Sequence, residues 1–407
     1  MAGLVERGVK ASPQFLLVLP LLLLLLLAPV SQLRAASLEE WAPTTNYPIQ
    51  VAGDSCVASS GYVYCVGGFD ASGDDYDNAY YAQLTPTGIG GWSAATPYPA
   101  KVDSAACFAE AATLYCVGGE SSTTVFDNVY SATLSPSGLG AWSSAADYPR
   151  AVAGESCVVY SGYVYCVGGF NTSGEGSAAT YYASISSGIT AWTSTTPYPF
   201  SIYTVPCVGQ ADYIYCIAGQ QENTVGGTGA NTNYPTAQVY YATLSSSGIG
   251  SWSASPAYPQ ALASPSCVAY SGEVYCFGGY GVSQLSNSNA YSSAVLSPGL
   301  TSWTATTPYP VPFDLSSCVS DYSDVYCIGG RSYSTSGLSM LSSDYYAALA
   351  PPSTNTTSSS NSSTTASSSS STVPEFPTPA AFPIVLAACM TIVLVLGRRY
   401  SSRSGDA

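Results

Sequence analysis

The chain has 407 residues, 24 of them acidic and 9 basic, with a formal net charge of −15 and no histidine. A Ser-His-Asp triad and histidine-ligated zinc or copper are therefore excluded, and so acidic a surface repels phosphate backbones and anionic lipid, which excludes nucleic-acid binding. Thirteen cysteines in a chain of this kind point to an oxidising compartment.

Residues 1–36 read as a secretory signal. Arg7 and Lys10 precede the apolar run Phe15 to Ala28, and small residues follow at Ala35 and Ala36. Leu33 or Arg34 would occupy the −3 position of the cleavage site, which leaves an uncleaved anchor as the alternative.

A short unit then recurs six times. In its third copy it reads Cys157-Val-Val-Tyr-Ser-Gly-Tyr-Val-Tyr-Cys166-Val-Gly-Gly169. The other copies pair Cys56 with Cys65, Cys107 with Cys116, Cys207 with Cys216, Cys267 with Cys276 and Cys318 with Cys327, always nine positions apart. β-Branched and aromatic residues around a Ser-Gly dipeptide predict two strands joined by a tight hairpin. A two-residue turn at Ser161-Gly162 sets Cys157 opposite Cys166 in a non-hydrogen-bonded pair, with Cα atoms roughly 4.5 Å apart and within reach of a disulfide. Six intra-repeat disulfides are expected, with free-thiol packing or a metal site as alternatives. Zinc is disfavoured by the spacing.

Each hairpin is followed by a variable stretch and a third β segment, such as Tyr80-Tyr-Ala-Gln-Leu84 or Tyr240-Tyr-Ala-Thr-Leu244. A fourth segment opens at Trp92, Trp142, Trp192, Trp252 or Trp303, each followed six positions on by Tyr-Pro. Four-strand units repeated about every 50 residues predict an all-β, six-bladed β-propeller over residues 41–350. The sixth repeat lacks a tryptophan after its third strand, while Trp41 stands before the first repeat with Tyr47-Pro48 in register. The N-terminal strand is therefore expected to supply the fourth strand of the last blade and close the ring, leaving no free sheet edge. Val63 and Cys65 point one way and Tyr64 and Val66 the other, so both faces of the second strand are apolar, as suits a sheet packed between neighbours.

Gly-Gly after an apolar strand, a tyrosine in the third strand and a tryptophan in the fourth make Trp41 to Ala350 resemble kelch repeats. The cysteine pairs, the longer interval from tyrosine to tryptophan, and Ala218 in place of the first glycine of repeat four depart from that pattern. Galactose oxidase is a kelch-like enzyme, but its copper needs histidine ligands, so that activity does not carry over.

Residues 351–373 are almost wholly Ser, Thr and Asn, a solvated stalk. The stalk carries glycosylation sequons at Asn355 and Asn361, and a further sequon lies at Asn171. Residues 374–397 combine Pro374-Glu375-Phe376 with an apolar run from Ala380 to Gly397 long enough to span a membrane, and residues 398–407 form a basic tail expected on the cytoplasmic side. This tripartite end resembles the archaeal PEF-CTERM sorting signal, in which a membrane transpeptidase cuts near the motif; a plain membrane anchor is the alternative. Either way the repeats face outside, as a glycoprotein of the cell surface.

Variable loops follow the second and fourth strands, on one face of the disc, and variable loops on a rigid scaffold are where binding resides. Tyr234, Tyr280, Arg331 and Tyr333 are the candidate contacts there, for a protein or glycan partner, because aromatics and arginine dominate binding hot spots. The acidic loop Asp70 to Asn78 offers Asp70, Asp74, Asp75 and Asp77 as oxygen ligands for calcium, though without EF-hand spacing; a solvated loop is the alternative. Asp54, Glu155 and Asp314 precede first strands and are the carboxylates available for glycoside chemistry, but they do not recur as a pair. A recognition or adhesion module, not an enzyme, is the expectation. The alternative is a surface-coat component with no specific ligand.

Overall fold

The computed structural model describes residues 38–224, 231–296, 298–321 and 323–349. The expected signal, stalk, sorting motif, membrane span and basic tail, with Asn355 and Asn361, lie outside the described residues. Among the described residues no helix is long and apolar enough to cross a membrane, and all regular structure is β.

Every repeat contains the predicted hairpin. Ser161 and Gly162 take φ values of 50° and 78°, and Ser60-Gly61 and Ser271-Gly272 do the same. Left-handed residues at both central positions give the turn whose twist matches that of the flanking strands. The register follows: Tyr160 faces Tyr163 and Cys157 faces Cys166. All six disulfides are formed, with Cα separations of 4.0–4.1 Å. The free-thiol and metal alternatives for these cysteines fall with that.

The hairpins grow into antiparallel sheets in chain order. In repeat three, Ala153–Tyr160 pairs with Tyr163–Phe170, which pairs with Thr180–Ser184, which pairs with Thr193–Ser194. In repeat six, Ser317–Asp321, Asp324–Ile328 and Tyr345–Ala348 follow the same order, and the outer place goes to Ala42–Pro43 from the start of the chain, with Ala42 opposite Tyr346. The displaced tryptophan segment thus joins the last sheet. Val63, Tyr64, Cys65 and Val66 are all buried, so both faces of the second strand are covered, as their side chains require.

One contact joins each sheet to the next. The Tyr-Pro tyrosine of one repeat meets the tryptophan of the following one edge to face: Tyr47 with Trp92, Tyr98 with Trp142, Tyr148 with Trp192, Tyr198 with Trp252 and Tyr258 with Trp303, all at 4.9 Å between centroids. Tyr309 meets Trp41 in the same way at 4.8 Å. Each indole N–H also donates to a backbone carbonyl of the preceding segment, as Trp142 does to Thr96 and Trp41 to Thr307. Such ring pairs add to burial and fix the angle between neighbouring sheets.

Two departures from the expected pattern are accommodated locally. Ala218 replaces the first glycine of repeat four and adopts φ 57°, a left-handed conformation that costs a residue with a Cβ free energy. The variable segments after the second strands are partly β-ribbon rather than loop: Gln220–Thr224 pairs with Asn231–Pro235 and with Ile202–Tyr203, and Arg331–Ser334 pairs with Gly337–Met340.

Candidate functional site

The approach to each first strand is built alike. Three residues before the first cysteine stand Gly53, Ser104, Gly154, Thr204, Ser264 and Leu315, all left-handed, with φ between 47° and 70°. Successive members are linked backbone to backbone: Ser104 N–H donates to the Gly53 carbonyl, Gly154 to Ser104, Thr204 to Gly154, Ser264 to Thr204, and Gly53 to Leu315. A β-branched threonine and a leucine in this region are strained. The linked carbonyls and N–H groups hold them there.

Below this collar a cavity of about 330 Å³ is lined by the first-strand approaches of all six repeats. Above it a second cavity, about 400 Å³, is lined by Phe69, Glu120, Phe170, Gln220, Tyr280 and Arg331, together with Asp75, Asp103 and Tyr203. Those first six residues are equivalent: each immediately follows the Gly-Gly (Ala218-Gly219 in repeat four) of its own repeat. Each is fixed by pairing with the residue just before the collar, Phe69 with Ala52, Glu120 with Asp103, Tyr280 with Ala263, Arg331 with Asp314, Phe170 with Ala153 and Gln220 with Tyr203. The scaffold repeats six times while the side chain it presents is of five different kinds.

The lining divides by chemistry. Carboxylates gather where repeats one and two meet. Burial raises Asp103 to about 8, helped by the neighbouring Asp75 and opposed by a hydrogen bond from Ser104 Oγ. Burial, then the nearby Asp75 charge, also raises Glu120. Asp75 accepts the Ser122 N–H at 2.6 Å. Across the cavity, Arg331 Nε donates to Asp314 Oδ1 at 2.7 Å, and Asp314 is only 1% exposed. Between these poles Phe170 and Tyr203 meet edge to face at 5.3 Å, and Tyr280 Oη donates to Gln220 Oε1 at 2.7 Å. The mouth thus combines apolar ring surface with acceptors and one committed guanidinium.

The structure brings Tyr280 and Arg331 to this cavity. Tyr333 instead stands on the Arg331–Ser334 ribbon, 43% exposed and opposite the exposed Leu338, and Tyr234 lies on the Asn231–Pro235 strand opposite Gln221. Asp70, Asp74, Asp75 and Asp77 do not converge. Asp70 accepts the N–H groups of Ser72 and Asp74 and the Tyr76 hydroxyl, closing its own loop, while Asp75 turns to repeat two. Among the described residues the one cluster of metal-ligand type is Asp54 with Cys56 and Cys65, whose sulfurs are spent on a disulfide. Asn171 caps its loop, its Oδ1 accepting from Ser173 and Glu175 N–H and its Nδ2 donating to Glu175.

Asp54 and Glu155 line the lower cavity but are buried. Burial raises Asp54 to about 8 and Glu155 well above the usual range. Neither Glu155 oxygen has a hydrogen-bond partner or reaches solvent. The residues that the sequence reading passed over are Phe69, Asp103, Glu120, Phe170 and Gln220. For all but Asp103 the signal was the position after Gly-Gly, which carries five residue types in a motif copied six times.

No family model and no curated protein matches the sequence. Among solved structures, one titled "Structure of YjhT" is similar, with a TM-score of 0.58 at 14% identity over 73% of this chain and 95% of that one. The likeness is one of fold.

Proposed function

We propose that the chain is a cell-surface recognition module, a kelch-like six-bladed β-propeller that takes a protein or glycan partner at the upper cavity. The observation that carries this reading is the set of six equivalent positions bearing Phe69, Glu120, Phe170, Gln220, Tyr280 and Arg331 around one opening. A site serving only the scaffold would repeat its side chain with its backbone, as the tyrosine–tryptophan contacts between neighbouring sheets do.

The propeller reading is supported by the Tyr309–Trp41 contact, which continues the series of tyrosine–tryptophan contacts onto the N-terminal segment of the last sheet, and by a lower cavity to which every repeat contributes. Placement outside the cell is supported by the six disulfides and by the signal-like and anchor-like ends of the sequence. A non-catalytic role is favoured because Glu155 has no solvent contact and Asp314 is held by Arg331, so neither is free to activate water.

Screening the purified protein against glycan and protein arrays tests the reading. Phe170→Ala with Gln220→Ala is expected to abolish the captured ligand at an unchanged melting temperature. Undiminished capture by that variant, or no specific ligand at all, would favour a coat component.

A further inference from the structure

Repeats two and six place the same backbone under opposite charge. In repeat six, Asp314 pairs with Arg331 across the collar approach; in repeat two, Asp103 pairs with Glu120 at the equivalent positions. A third residue reaches in from the preceding repeat in both cases. Ser286, bridged to Tyr280, donates its hydroxyl to Asp314 Oδ2, and Asp75, bridged in the same way to Phe69, lies close enough to Asp103 to raise it.

The outcome differs. In repeat six an aspartate 1% exposed is matched by a guanidinium of its own chain. In repeat two an aspartate 8% exposed faces two further carboxyl groups, one of them 5% exposed, at the wall of an open cavity. Removing carboxylates from water in the absence of a cation is unfavourable, and the chain itself shows which group answers the equivalent aspartate four repeats on.

We propose that Asp75, Asp103 and Glu120 form a receptor for a guanidinium group of the ligand, as on an arginine side chain of a protein partner, which takes in repeat two the place that Arg331 fills in repeat six. This rests on the upper cavity being the binding site. A guanidinium carries five donors in a planar fork, matching carboxyl groups spread across a wall. Phe69 and Phe170, lining the same cavity, supply ring faces of the kind on which that plane stacks. A compact metal ion matches less well, since among the described residues these three do not bring oxygens within 4.8 Å of one another.

The site also has a proton signature. Burial and Asp75 keep Asp103 protonated up to about 8, so a bound cation must displace that proton. The groups facing it are Asp75, Glu120, the Ser104 hydroxyl and the Ser122 N–H, with the Arg331–Asp314 pair across the cavity.

Calorimetry on the full chain with Gly-Arg-Gly, free arginine and Gly-Lys-Gly, in two buffers of different ionisation enthalpy, tests this. The arginine peptide is expected to bind with release of about one proton at neutral pH, more tightly as pH rises towards 8, and about tenfold more tightly than the lysine peptide. Glu120→Arg should abolish binding and raise the melting temperature by supplying the missing partner from within, and Glu120→Gln should weaken binding by about tenfold. Tighter binding of the peptide than of free arginine assigns the group to a protein; equal affinity assigns it to a small guanidine compound. Absence of heat with every guanidinium probe, or undiminished affinity in Glu120→Arg, would overturn the proposal. If an array ligand without a guanidinium is still lost in Phe170→Ala with Gln220→Ala, the cavity remains the binding site and only the guanidinium assignment falls.

Discussion

The tyrosine–tryptophan contacts between neighbouring sheets, here called the rim, and the mouth of the upper cavity obey opposite rules. At the rim, the same tyrosine, tryptophan and indole hydrogen bond recur from Tyr47–Trp92 to Tyr309–Trp41, because each sheet must meet its neighbour at one angle. At the mouth, equivalent backbone carries phenylalanine, glutamate, glutamine, tyrosine and arginine. Repetition marks what packing demands, and its failure marks what packing leaves free. The rim should therefore govern stability and the mouth should govern binding.

The largest effect is expected at the rim. Tyr198 is buried against Trp252, Phe200 and Tyr240, and Tyr198→Ala should lower stability by about 3–5 kcal/mol in chemical denaturation. Its hydroxyl has no hydrogen-bond partner, so Tyr198→Phe should leave stability unchanged or slightly higher. A large loss in Tyr198→Phe would show that the hydroxyl, not the ring packing, holds the rim.

Arg331 is the exception that sharpens the contrast, since it belongs to the mouth yet neutralises a buried aspartate. Arg331→Ala should cost about 2–3 kcal/mol, because it strands Asp314 without its cation. Replacing both residues by apolar ones should recover most of the loss. If Arg331→Ala melts like the parent protein, the pair contributes nothing to the fold.

A third effect is spread over pH. Asp54 and Asp103 are raised to about 8, and Glu155 and Asp344 are raised well above their usual range, in each case chiefly by burial. A carboxyl group with a raised folded-state value binds more protons folded than unfolded, so its contribution is complete below about pH 4 and is lost as pH rises through the folded-state value, about 8 for Asp54 and Asp103. Stability should fall across that window by up to about 1.4 kcal/mol per pH unit for each group, and Asp54→Asn should flatten the slope by one such step. Stability that rises from pH 4 to pH 8 would contradict the burial of these groups as neutral acids.

Much of the fold was legible because it is written six times. The nine-residue cysteine spacing fixed the hairpin register, and the orphan Trp41 predicted the pairing of Ala42–Pro43 with Tyr345–Ala348. The ribbons after the second strands were not legible, since a segment such as Gln220-Gln-Glu-Asn-Thr224 is wholly polar and carries no apolar alternation. Tyr280 and Arg331, chosen for their residue type, line the upper cavity, whereas Glu120 and Asp103 were not chosen because an acidic residue in an acidic chain carries little signal. In the Asp70 loop, carboxylates close in sequence turn to different neighbours, Asp70 inward and Asp75 to the next repeat, an arrangement that spacing in sequence does not disclose.

The most direct test of the account measures melting temperature and ligand affinity together for two series of alanine variants, one at Phe69, Glu120, Phe170 and Gln220, the other at Trp92, Trp142, Trp192 and Trp252. The first series should lose affinity at unchanged melting temperature, and the second should lose melting temperature while any folded fraction binds normally. Mouth variants that melt early yet bind as before would contradict the division of labour on which the account rests.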